Sequence, residues 1–365
     1  MSSSRNIPIA AAIIPESEAS LQALHWQQAL NEAFTNLDEL LSYLKLEPSQ
    51  FDPAQQSAEQ GCSSVAGAGC TGATIKQFGL RVPRGFAARM SKGDPRDPLL
   101  LQVLPQAIEL RQQQGFNANP VGDLEAQVTP GVLHKYHGRA LIIATGACAV
   151  HCRYCFRRHY PYAGGMASPR QWNRLLDYLR ADPSINEVIL SGGDPLMVND
   201  AKLATWLEQL SKIPQLRRLR LHTRLPVVLP ERITPELLAL LNDSPLQSVV
   251  VIHANHPNEL SGPVISALAG LKETNSLLLN QTVLLRGIND AAETLASLSE
   301  GLFAAGVLPY YLHLLDRVTG AAHFEVAEAR TQAIYRQLLA RLPGYLVPKL
   351  VRESAGELSK RPVSV

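Results

Sequence analysis

The sequence predicts an α/β fold, a partial (β/α)6 barrel of parallel strands that follows a helical N-terminal extension. Two observations predict it. Six short runs of apolar and β-branched residues alternate with amphipathic segments of helix length, and they recur at the spacing of roughly 30 residues that βαβ crossovers need. Several of these runs are almost continuously apolar, as in strands that are covered on both faces. Six units suit a partly closed barrel better than a complete barrel of eight.

Three regions are predicted along the chain. Residues 1–75 form a helical extension and a flexible linker, because residues 17–46 show the apolar periodicity of helices and residues 57–73 are rich in glycine, serine and alanine. Residues 76–139 carry frequent proline, glycine and aspartate, and we expect them to form a segment that packs on the barrel. Residues 140–365 form the barrel and a C-terminal segment.

The predicted strands place the chemistry of the chain at one edge of the sheet. Parallel strands share an edge at their carboxyl ends, and in barrels the reacting groups collect there. Most of the motifs described below follow a predicted strand directly. The strands are predicted at residues 141–145, 187–191, 218–223, 248–254, 277–285 and 308–315, with a seventh strand-like run at 345–351.

Composition and charge exclude several classes of function. The chain has 34 Lys and Arg against 32 Asp and Glu, and this formal net charge of +2 is too balanced for binding nucleic acid or a membrane through bulk electrostatics. No apolar run approaches the roughly 20 residues that cross a bilayer, and the apolar stretch at residues 7–14 lacks the features of an export signal. We therefore expect a cytoplasmic protein without a nucleic-acid or membrane partner.

Three of the five cysteines form a C-x3-C-x2-C motif directly after the first predicted strand. Cys148, Cys152 and Cys155 are a poor framework for disulfides, and clustered thiols in a reduced cytosol more often hold a metal or a cluster. This spacing lets three thiolates bind three irons of a cubane cluster and leaves the fourth iron open. The other two cysteines, Cys62 and Cys70, lie in the predicted linker, and we assign them no role.

A structural zinc site is the alternative interpretation of the same loop. Three cysteines and one histidine are a common zinc set, and His151 and His159 both lie close to the thiols in sequence. However, His151 directly precedes Cys152 and has to bend back to share a metal with it, and structural zinc normally draws on two separated pairs of ligands. In this alternative the chain is a non-enzymatic interaction module.

The thiol loop resembles that of the radical S-adenosylmethionine superfamily, since an aromatic residue, Tyr154, precedes the last cysteine. The glycine-rich turn Ser191–Pro195 after the second strand resembles that family as well. The resemblance implies a [4Fe-4S] cluster whose open iron binds S-adenosyl-L-methionine, which is cleaved to a 5'-deoxyadenosyl radical. It also implies that Gly192, Gly193 and Asp194 bind the methionyl amino group, because glycines allow close approach and a carboxylate compensates an ammonium.

A longer resemblance, from about Phe78 to the C-terminus, is to the lysine 2,3-aminomutases. It implies an isomerase that converts L-lysine to (R)-β-lysine by a radical 1,2-amino shift, with pyridoxal 5'-phosphate as a further cofactor and an electron donor such as flavodoxin or ferredoxin. A radical aminomutase that acts on another amino acid is the alternative. The matching segments, in the order of the family, are LHKYHGRALIIATGACAVHCRYCFRRHYP, ILSGGDPL, VVVIHANHPNE, LNQTVLLRGIND and PYYLHLLDRVTGAAHF.

This resemblance also implies which residues hold the cofactors. The family's pyridoxal-binding lysine follows a glycine-rich stretch, which matches RESAGELSKRPV and makes Lys360 the candidate. Lys349 competes with it, but lies inside a predicted strand and does not match the motif. The other implied cofactor residues are Lys135, Tyr136 and Arg139 for pyridoxal phosphate and His253 and Gln281 for S-adenosylmethionine.

The resemblance also implies which residues bind the substrate. Arg157 matches the arginine that binds the substrate carboxylate, because a guanidinium fork suits a carboxylate, although the adjacent Arg158 is nearly exchangeable with it in sequence. Asp316 matches an aspartate that binds the side-chain ammonium of lysine. The second such carboxylate falls on Glu353, where the family usually has aspartate, so the longer side chain is a departure from the family pattern.

One branch of the family resembles this chain most. The segment FGLRVPRGFAARMSKGDPRDPLLLQVLP, and a sequence that stops five residues after Lys360 with no cysteine beyond Cys155, resemble the bacterial branch that makes (R)-β-lysine for elongation factor P. This implies a functional link to elongation factor P and to its lysyl ligase.

Overall fold

The computed structural model describes residues 25–51, 74–162 and 169–365. The predicted linker with Cys62 and Cys70 lies outside the described residues. Ten strands form one sheet whose order follows the chain. They are β1 Gln127–Thr129, β2 Val132–Tyr136, β3 Arg139–Thr145, β4 Glu187–Gly192, β5 Arg218–Thr223, β6 Gln247–Ile252, β7 Leu277–Val283, β8 Leu308–His313, β9 Lys349–Arg352 and β10 Arg361–Pro362.

Helices connect the strands and pack against the sheet. Trp172 and Trp206, on two of these helices, stack with ring centroids 4.4 Å apart and join neighbouring connections. Among the described residues, no helix is long and apolar enough to cross a membrane. The α-helices α1 Leu37–Leu44, α2 Arg84–Ala87 and α3 Pro98–Leu101 precede the sheet in the chain. Those between the strands are α4 Pro169–Ala181, α5 Asp200–Ser211, α6 Leu225–Val228, α7 Pro235–Asn242, α8 Gly262–Lys272, α9 Ala292–Ala304 and α10 Glu328–Arg341.

The strands β3 to β9 are consecutive parallel neighbours. The six predicted strands are confirmed as β3 to β8, and the seventh is β9. That strand is shorter than predicted, because Gly344–Leu346 form a 3-10 helix and pairing with β8 begins only at Lys349. Since β1 and β10 do not pair with each other in the described sheet, the barrel stays open, as the sequence predicts.

Antiparallel strands extend both ends of the parallel sheet, and the sequence did not predict them. The strands β2 and β3 form a hairpin in which Tyr136 faces Arg139, and the turn between them contains Gly138 with φ of 76°. A positive φ is favourable for glycine, which makes this tight turn possible. The hairpin joins part of the predicted segment 76–139 to the barrel sheet.

The N-terminal extension is helical where it is described, as predicted, but it is not one continuous helix. Residues 25–31 are helical, and α1 begins anew because the Asn36 side chain accepts hydrogen bonds from the backbone N–H groups of Asp38 and Glu39. Between the two helices, Phe34 pairs with Val82 as an isolated bridge. Leucines of α1 are buried in the main core, so the extension packs on the barrel.

The strands differ in what their two faces contact. All six residues of β4 are buried, as expected for a strand covered on both sides. By contrast, β5 alternates: Leu219 and Leu221 are buried in the apolar core, whereas Arg220 and His222 face the inside of the barrel. The period of two thus brings polar side chains into the barrel interior.

Candidate active site

A cavity of about 310 Å³ opens at the carboxyl ends of the parallel strands. Each strand from β3 to β9 supplies residues to its wall, at its end or in the loop that follows. All the residues that the sequence predicts for the site line this one cavity: Cys148, Cys152, Cys155, Gly192, Gly193, Asp194, His253, Gln281, Lys135, Tyr136, Arg139, Lys360, Arg157, Asp316 and Glu353.

The three clustered thiols project from the loop after β3, and each is partly exposed. They are the cysteines of the described residues, so no fourth described thiol completes the set. Burial and the neighbouring Cys152 raise the pKa of Cys155 to about 11, and burial also raises the pKa of Cys148. Three thiolates held together here need a cationic core to compensate their charge. The donor set therefore fits a [4Fe-4S] cluster that keeps one iron open.

The histidines of the zinc alternative lie away from the thiols. The His151 ring packs against Phe78, with ring centroids 5.2 Å apart, and His159 Nε2 lies 3.1 Å from the Thr319 carbonyl oxygen. Neither histidine lines the cavity of the thiols. Within the described part of the chain, no three His, Cys, Asp or Glu side chains are close enough together to hold a single metal ion. The geometry does not assemble a Cys3His site.

The glycine turn after β4 packs directly against the thiol loop. Gly193 N–H donates to the Thr145 carbonyl at 2.7 Å, and Asp194 N–H donates to the Ala147 carbonyl at 2.8 Å. A Cβ atom on Gly192 would lie 2.4 Å from the Thr145 oxygen, and one on Gly193 would lie 2.3 Å from the Ala147 oxygen. The two glycines are needed here because backbone approaches backbone, which fixes the loop that carries the cysteines.

Asp194 is buried and already has protein donors on both carboxylate oxygens. Its Oδ1 accepts from Thr223 Oγ1 at 2.7 Å and from the Leu196 N–H at 3.1 Å, and its Oδ2 accepts from the Arg224 N–H at 2.7 Å. Burial raises the pKa of Asp194 to about 6, despite these bonds. The aspartate thus ties the end of β4 to the end of β5, while its contact with a methionyl ammonium stays a prediction.

We expect Gly193→Ala to prevent the three thiols from holding the predicted [4Fe-4S] cluster. The added methyl group collides with backbone, which cannot rotate away, so the turn and the thiol loop must separate at a cost of about 1–3 kcal/mol or more. Iron and sulfide content after anaerobic purification, together with the thermal unfolding midpoint, measures the effect. Gly262→Ala is the matched control, because a Cβ atom there meets nothing within 4 Å. Full iron content in Gly193→Ala would contradict the packing role.

A row of alternating charges runs along the cavity wall. Arg157 Nε lies 2.7 Å from Asp123 Oδ2, and Asp123 Oδ1 lies 2.5 Å from Lys135 Nζ. Lys135 Nζ lies 3.0 Å from Glu353 Oε1, and Glu353 Oε2 pairs with Lys360 Nζ. Burial opposes the charge of Glu353, but Lys360 and Lys135 hold its pKa well below the usual range. The row links the arginine proposed for a carboxylate to the lysine proposed for pyridoxal.

The two candidate lysines lie in different environments. Lys360 lies just before β10, lines the cavity and has its Nζ 5.9 Å from the Tyr311 ring centroid. Lys349, on β9, is exposed and does not line the cavity. Of the two, Lys360 has the position from which an amine can reach a ligand in the cavity.

The structure also separates the adjacent arginines. Arg157 lines the cavity and donates from Nη1 to Ser191 Oγ at 2.9 Å, while its Nη2 has no hydrogen-bond partner among the described residues. Burial opposes its charge, but Asp123 raises the pKa of Arg157 above the usual value. Arg158 points away from the cavity and donates from Nη2 to Glu109 Oε2 at 2.8 Å. Of these two adjacent arginines, Arg157 is the one that is placed to bind a ligand carboxylate in the cavity.

The Asp316 carboxylate faces the cavity without a hydrogen bond or ion pair to any described residue. Burial and the nearby Glu353 raise the pKa of Asp316 to about 7, although Lys360 and Lys135 act in the opposite direction. An ammonium group brought next to this carboxylate would favour its ionised form. Asp316 thus fits a cationic end of a ligand.

The remaining predicted residues form two pairs on the wall. Gln281 Nε2 lies 2.6 Å from His253 Nε2, and burial with the charge of Arg224 lowers the pKa of His253 to about 3, so its ring is neutral. The Arg139 guanidinium lies 4.8 Å from the Tyr136 ring centroid. Burial and Glu353 raise the pKa of Tyr136. Arg139 has no described ion-pair partner, so its charge is available to an anion.

Comparison with known proteins shows which family the chain belongs to. Residues 142–297 match the Radical SAM superfamily. The L-lysine 2,3-aminomutase of Escherichia coli strain K12 is 47% identical over 340 residues, which are 93% of this chain and 94% of that protein. The chain belongs to the L-lysine 2,3-aminomutase family. The sequence resemblance to this family is confirmed.

Other members of the L-lysine 2,3-aminomutase family match over similar lengths. The protein of Haemophilus influenzae is 45% identical over 95% of this chain and 98% of its own length. That of Clostridium subterminale is 31% identical over 93% of this chain and 77% of its own length. Among solved structures, a radical SAM methyltransferase from Sphaerobacter thermophilus matches 60% of this chain and 68% of its own with a TM-score of 0.44 and 16% identity, and no conclusion rests on it.

Sequence reasoning missed several residues of this aminomutase-family cavity. Asp123 pairs with both Arg157 and Lys135, but it lies in a loop without periodicity. His222 could have been found from the polar positions that alternate along β5. Arg224 directly follows the end of β5, where the barrel rule places chemistry, and was overlooked.

Proposed function

We propose that this chain is an L-lysine 2,3-aminomutase, which converts L-lysine to (R)-β-lysine with a [4Fe-4S] cluster, S-adenosylmethionine and pyridoxal phosphate. One observation carries the proposal: a single cavity is lined by three thiols, a lysine and groups of opposite charge suited to the two ends of an amino acid. The family relationship supports the same reaction, because relatives matched over most of their length bear this name.

The cavity offers a place for each cofactor. Cys148, Cys152 and Cys155 would hold the cluster, and Lys360 would hold pyridoxal phosphate through Nζ, with Arg139 free to bind its phosphate. His253 and Gln281 are proposed contacts of S-adenosylmethionine. When bound, these groups supply a carbon-centred radical and a conjugated system on which an amino group can migrate.

The charged residues of the cavity would orient lysine by its two ends. Arg157 would bind the carboxylate through Nη2, since Asp123 and Ser191 hold the rest of its guanidinium in place. Asp316 would bind the side-chain ammonium. Attachment at both ends fixes which hydrogen lies next to the radical, and this control of position is what a reactive radical requires.

Glu353 is proposed as the second carboxylate near the ammonium. Its oxygens are already shared by Lys135 and Lys360, so a substrate ammonium has to compete for it. If Lys360 held pyridoxal phosphate, its charge pair with Glu353 would change, and Glu353 Oε2 would be free for a substrate ammonium. The glutamate side chain reaches both Lys360 and Lys135.

Lysine binding should weaken as the pH falls through about 7. The pKa of Asp316 is raised to about 7, so the carboxyl group is neutral below that pH and ionised above it. Because an ammonium binds the ionised form, KM for lysine should rise about tenfold per pH unit below the pKa. Initial rates at several lysine concentrations, over about one pH unit on either side of 7, give KM as a function of pH. The same pH dependence in Asp316→Asn would contradict this role.

The reaction itself is tested with labelled substrate. L-lysine carrying ¹⁵N at the α-amino group is incubated without oxygen with the reconstituted protein, S-adenosylmethionine, pyridoxal phosphate and dithionite. We expect β-lysine with ¹⁵N on C3, and chiral chromatography of the product to give the R enantiomer. Unchanged lysine, with the cluster present, would reject the proposal, and turnover of another amino acid in preference to lysine would favour the alternative aminomutase.

We also propose the cellular setting that the sequence resemblance implies. The (R)-β-lysine would be used by the lysyl ligase that modifies elongation factor P, in the cytoplasm, with flavodoxin or ferredoxin as electron donor. Mass spectrometry of elongation factor P from cells that lack this chain tests the link. The expected result is loss of the β-lysyl mass, and its restoration by added (R)-β-lysine.

A further inference from the structure

One of the three thiols receives a hydrogen bond from a buried arginine. Arg224 follows β5 directly and is 5% exposed, and its Nη1 donates to Cys152 Sγ at 2.7 Å. No described arginine donates to the sulfur atoms of Cys148 or Cys155. The predicted cluster site is therefore asymmetric, with a cationic donor at one of its three protein ligands.

The guanidinium is held in this direction by a buried polar network. Its Nη2 donates to Gln102 Oε1 at 2.7 Å and to Glu259 Oε2 at 3.1 Å. Gln102 and Glu259 are themselves fully buried and bonded to each other at 3.0 Å. Asn255 donates to Gln102 Oε1 at 2.9 Å. Because two acceptors hold Nη2 of the planar guanidinium, and Nε has no hydrogen-bond partner among the described residues, Nη1 is directed at the Cys152 sulfur.

The backbone of the same residue connects it to the loop that carries the cysteines. Arg224 N–H donates to Asp194 Oδ2 at 2.7 Å, and Asp194 N–H donates in turn to the Ala147 carbonyl beside Cys148. Arg224 thus contacts the thiol loop both through its side chain and through Asp194. A substitution of Arg224 would therefore alter two contacts of the thiol loop, one from its side chain and one through Asp194.

We propose that Arg224 is a positioning residue of the iron–sulfur cluster. Through the Nη1–H···Sγ hydrogen bond, Arg224 orients Cys152 and raises the reduction potential of the cluster. The inference rests on the cluster of the proposed function. Reduction adds one electron from a low-potential donor to the cluster and makes it more negative. A positive donor on a ligand sulfur stabilises that reduced form more than the oxidised form, since hydrogen bonds to the sulfurs help to set the potential.

A redox titration of reconstituted holoenzyme followed by EPR tests the inference. In Arg224→Met, we expect the ratio of reduced to oxidised cluster at the wild-type midpoint to fall about tenfold, a shift of about 59 mV for one electron. Arg224→Lys, which keeps the charge but loses the fork, should lie between the two. Arg89→Gln is the matched control: Arg89 donates to the Glu259 and Val227 carbonyls of the same region, but not to a sulfur.

The results of these measurements either support or overturn the proposed role of Arg224. A midpoint in Arg224→Met equal to that of the wild type, with four irons and four sulfides bound, overturns the inference, and so does an equal shift in Arg89→Gln. If Arg224→Met does not assemble a cluster, pulsed EPR of reduced wild-type protein grown on ¹⁵N-arginine decides. A ¹⁵N coupling that is lost in Arg224→Lys supports the hydrogen bond, and its absence in the wild type rejects it. A wild-type protein without any cluster rejects the proposed function as well.

Discussion

Replacing Lys360 by alanine should abolish covalent binding of pyridoxal phosphate and reduce turnover of lysine by on the order of 10³-fold or more. The amine of Lys360 reaches the cavity beside Glu353 and Tyr311. If Lys360 holds pyridoxal phosphate as proposed, its removal leaves the cofactor without a covalent attachment and without a fixed position relative to the thiols. The absorbance of the protein-bound pyridoxal chromophore and the rate of β-lysine formation measure the two effects.

The alanine substitution should leave the iron–sulfur cluster in place. The thiol loop is held by the glycine turn after β4 and by Arg224, and none of these contacts involves Lys360. Iron and sulfide analysis therefore distinguishes a specific defect from misfolding. Loss of both cofactors together would show that the C-terminal segment has a structural role instead.

Lys349→Ala is the matched control for this prediction. Both residues are lysines near the C-terminus, and the sequence alone left them in competition. Lys349 is exposed on β9, so its removal should change neither the chromophore nor the rate by more than about twofold, as for surface changes of roughly 0.5 kcal/mol or less. A lost chromophore in Lys349→Ala, with an intact one in Lys360→Ala, would reverse the assignment.

The parallel sheet could be predicted from sequence because its signal is local. Runs such as EVILS and SVVVI are short, apolar and separated by helix-length segments, and they became β4 and β6. The flanking antiparallel strands could not be predicted in the same way. The short β1 and β10 owe their conformation to pairing with β2 and β9, which are already in the sheet, rather than to their own composition.

The site could be predicted to the extent that its residues sit in motifs. The cysteine spacing predicted three residues that line the cavity. It carries no information on which other side chains contact their sulfur atoms. The contact between Arg224 and Cys152 joins residues far apart in the chain, and only the register of β3, β4 and β5 brings them together. The role of the two glycines likewise became clear only when the facing carbonyl oxygens of the thiol loop were placed.

The adjacent arginines show what three-dimensional structure adds to a motif. Arg157 and Arg158 are the same amino acid at adjacent positions, yet the backbone directs one side chain to the cavity and the other to the protein interior. Arg157 joins Asp123 and Ser191 at the cavity, and Arg158 joins Glu109 in the protein interior. The same glutamine substitution at the two positions should therefore have different consequences.

We expect Arg157→Gln to lower kcat/KM for lysine by about 10²–10³-fold, chiefly through KM. The substitution removes the charge that is proposed to bind the substrate carboxylate. Asp123 keeps Lys135 as its partner, so the fold should survive. A matched measurement uses cadaverine, the diamine that lacks the carboxylate: its weak binding, measured by competition with lysine, should be the same in the variant and the wild type. Equal loss of cadaverine binding would indicate a general defect of the cavity.

Arg158→Gln should instead lower stability, by about 3 kcal/mol, because Glu109 is buried and loses one of its two cationic partners. Arg153 remains at 2.6 Å from Glu109 Oε2, so the loss should be partial and the folded fraction should keep a KM for lysine close to that of the wild type. Denaturant unfolding and steady-state kinetics on the same preparations separate the two variants. If Arg158→Gln raised KM while Arg157→Gln lowered only stability, the placement of the substrate carboxylate at Arg157 would be wrong, and the ends of lysine would have to be reassigned within the cavity.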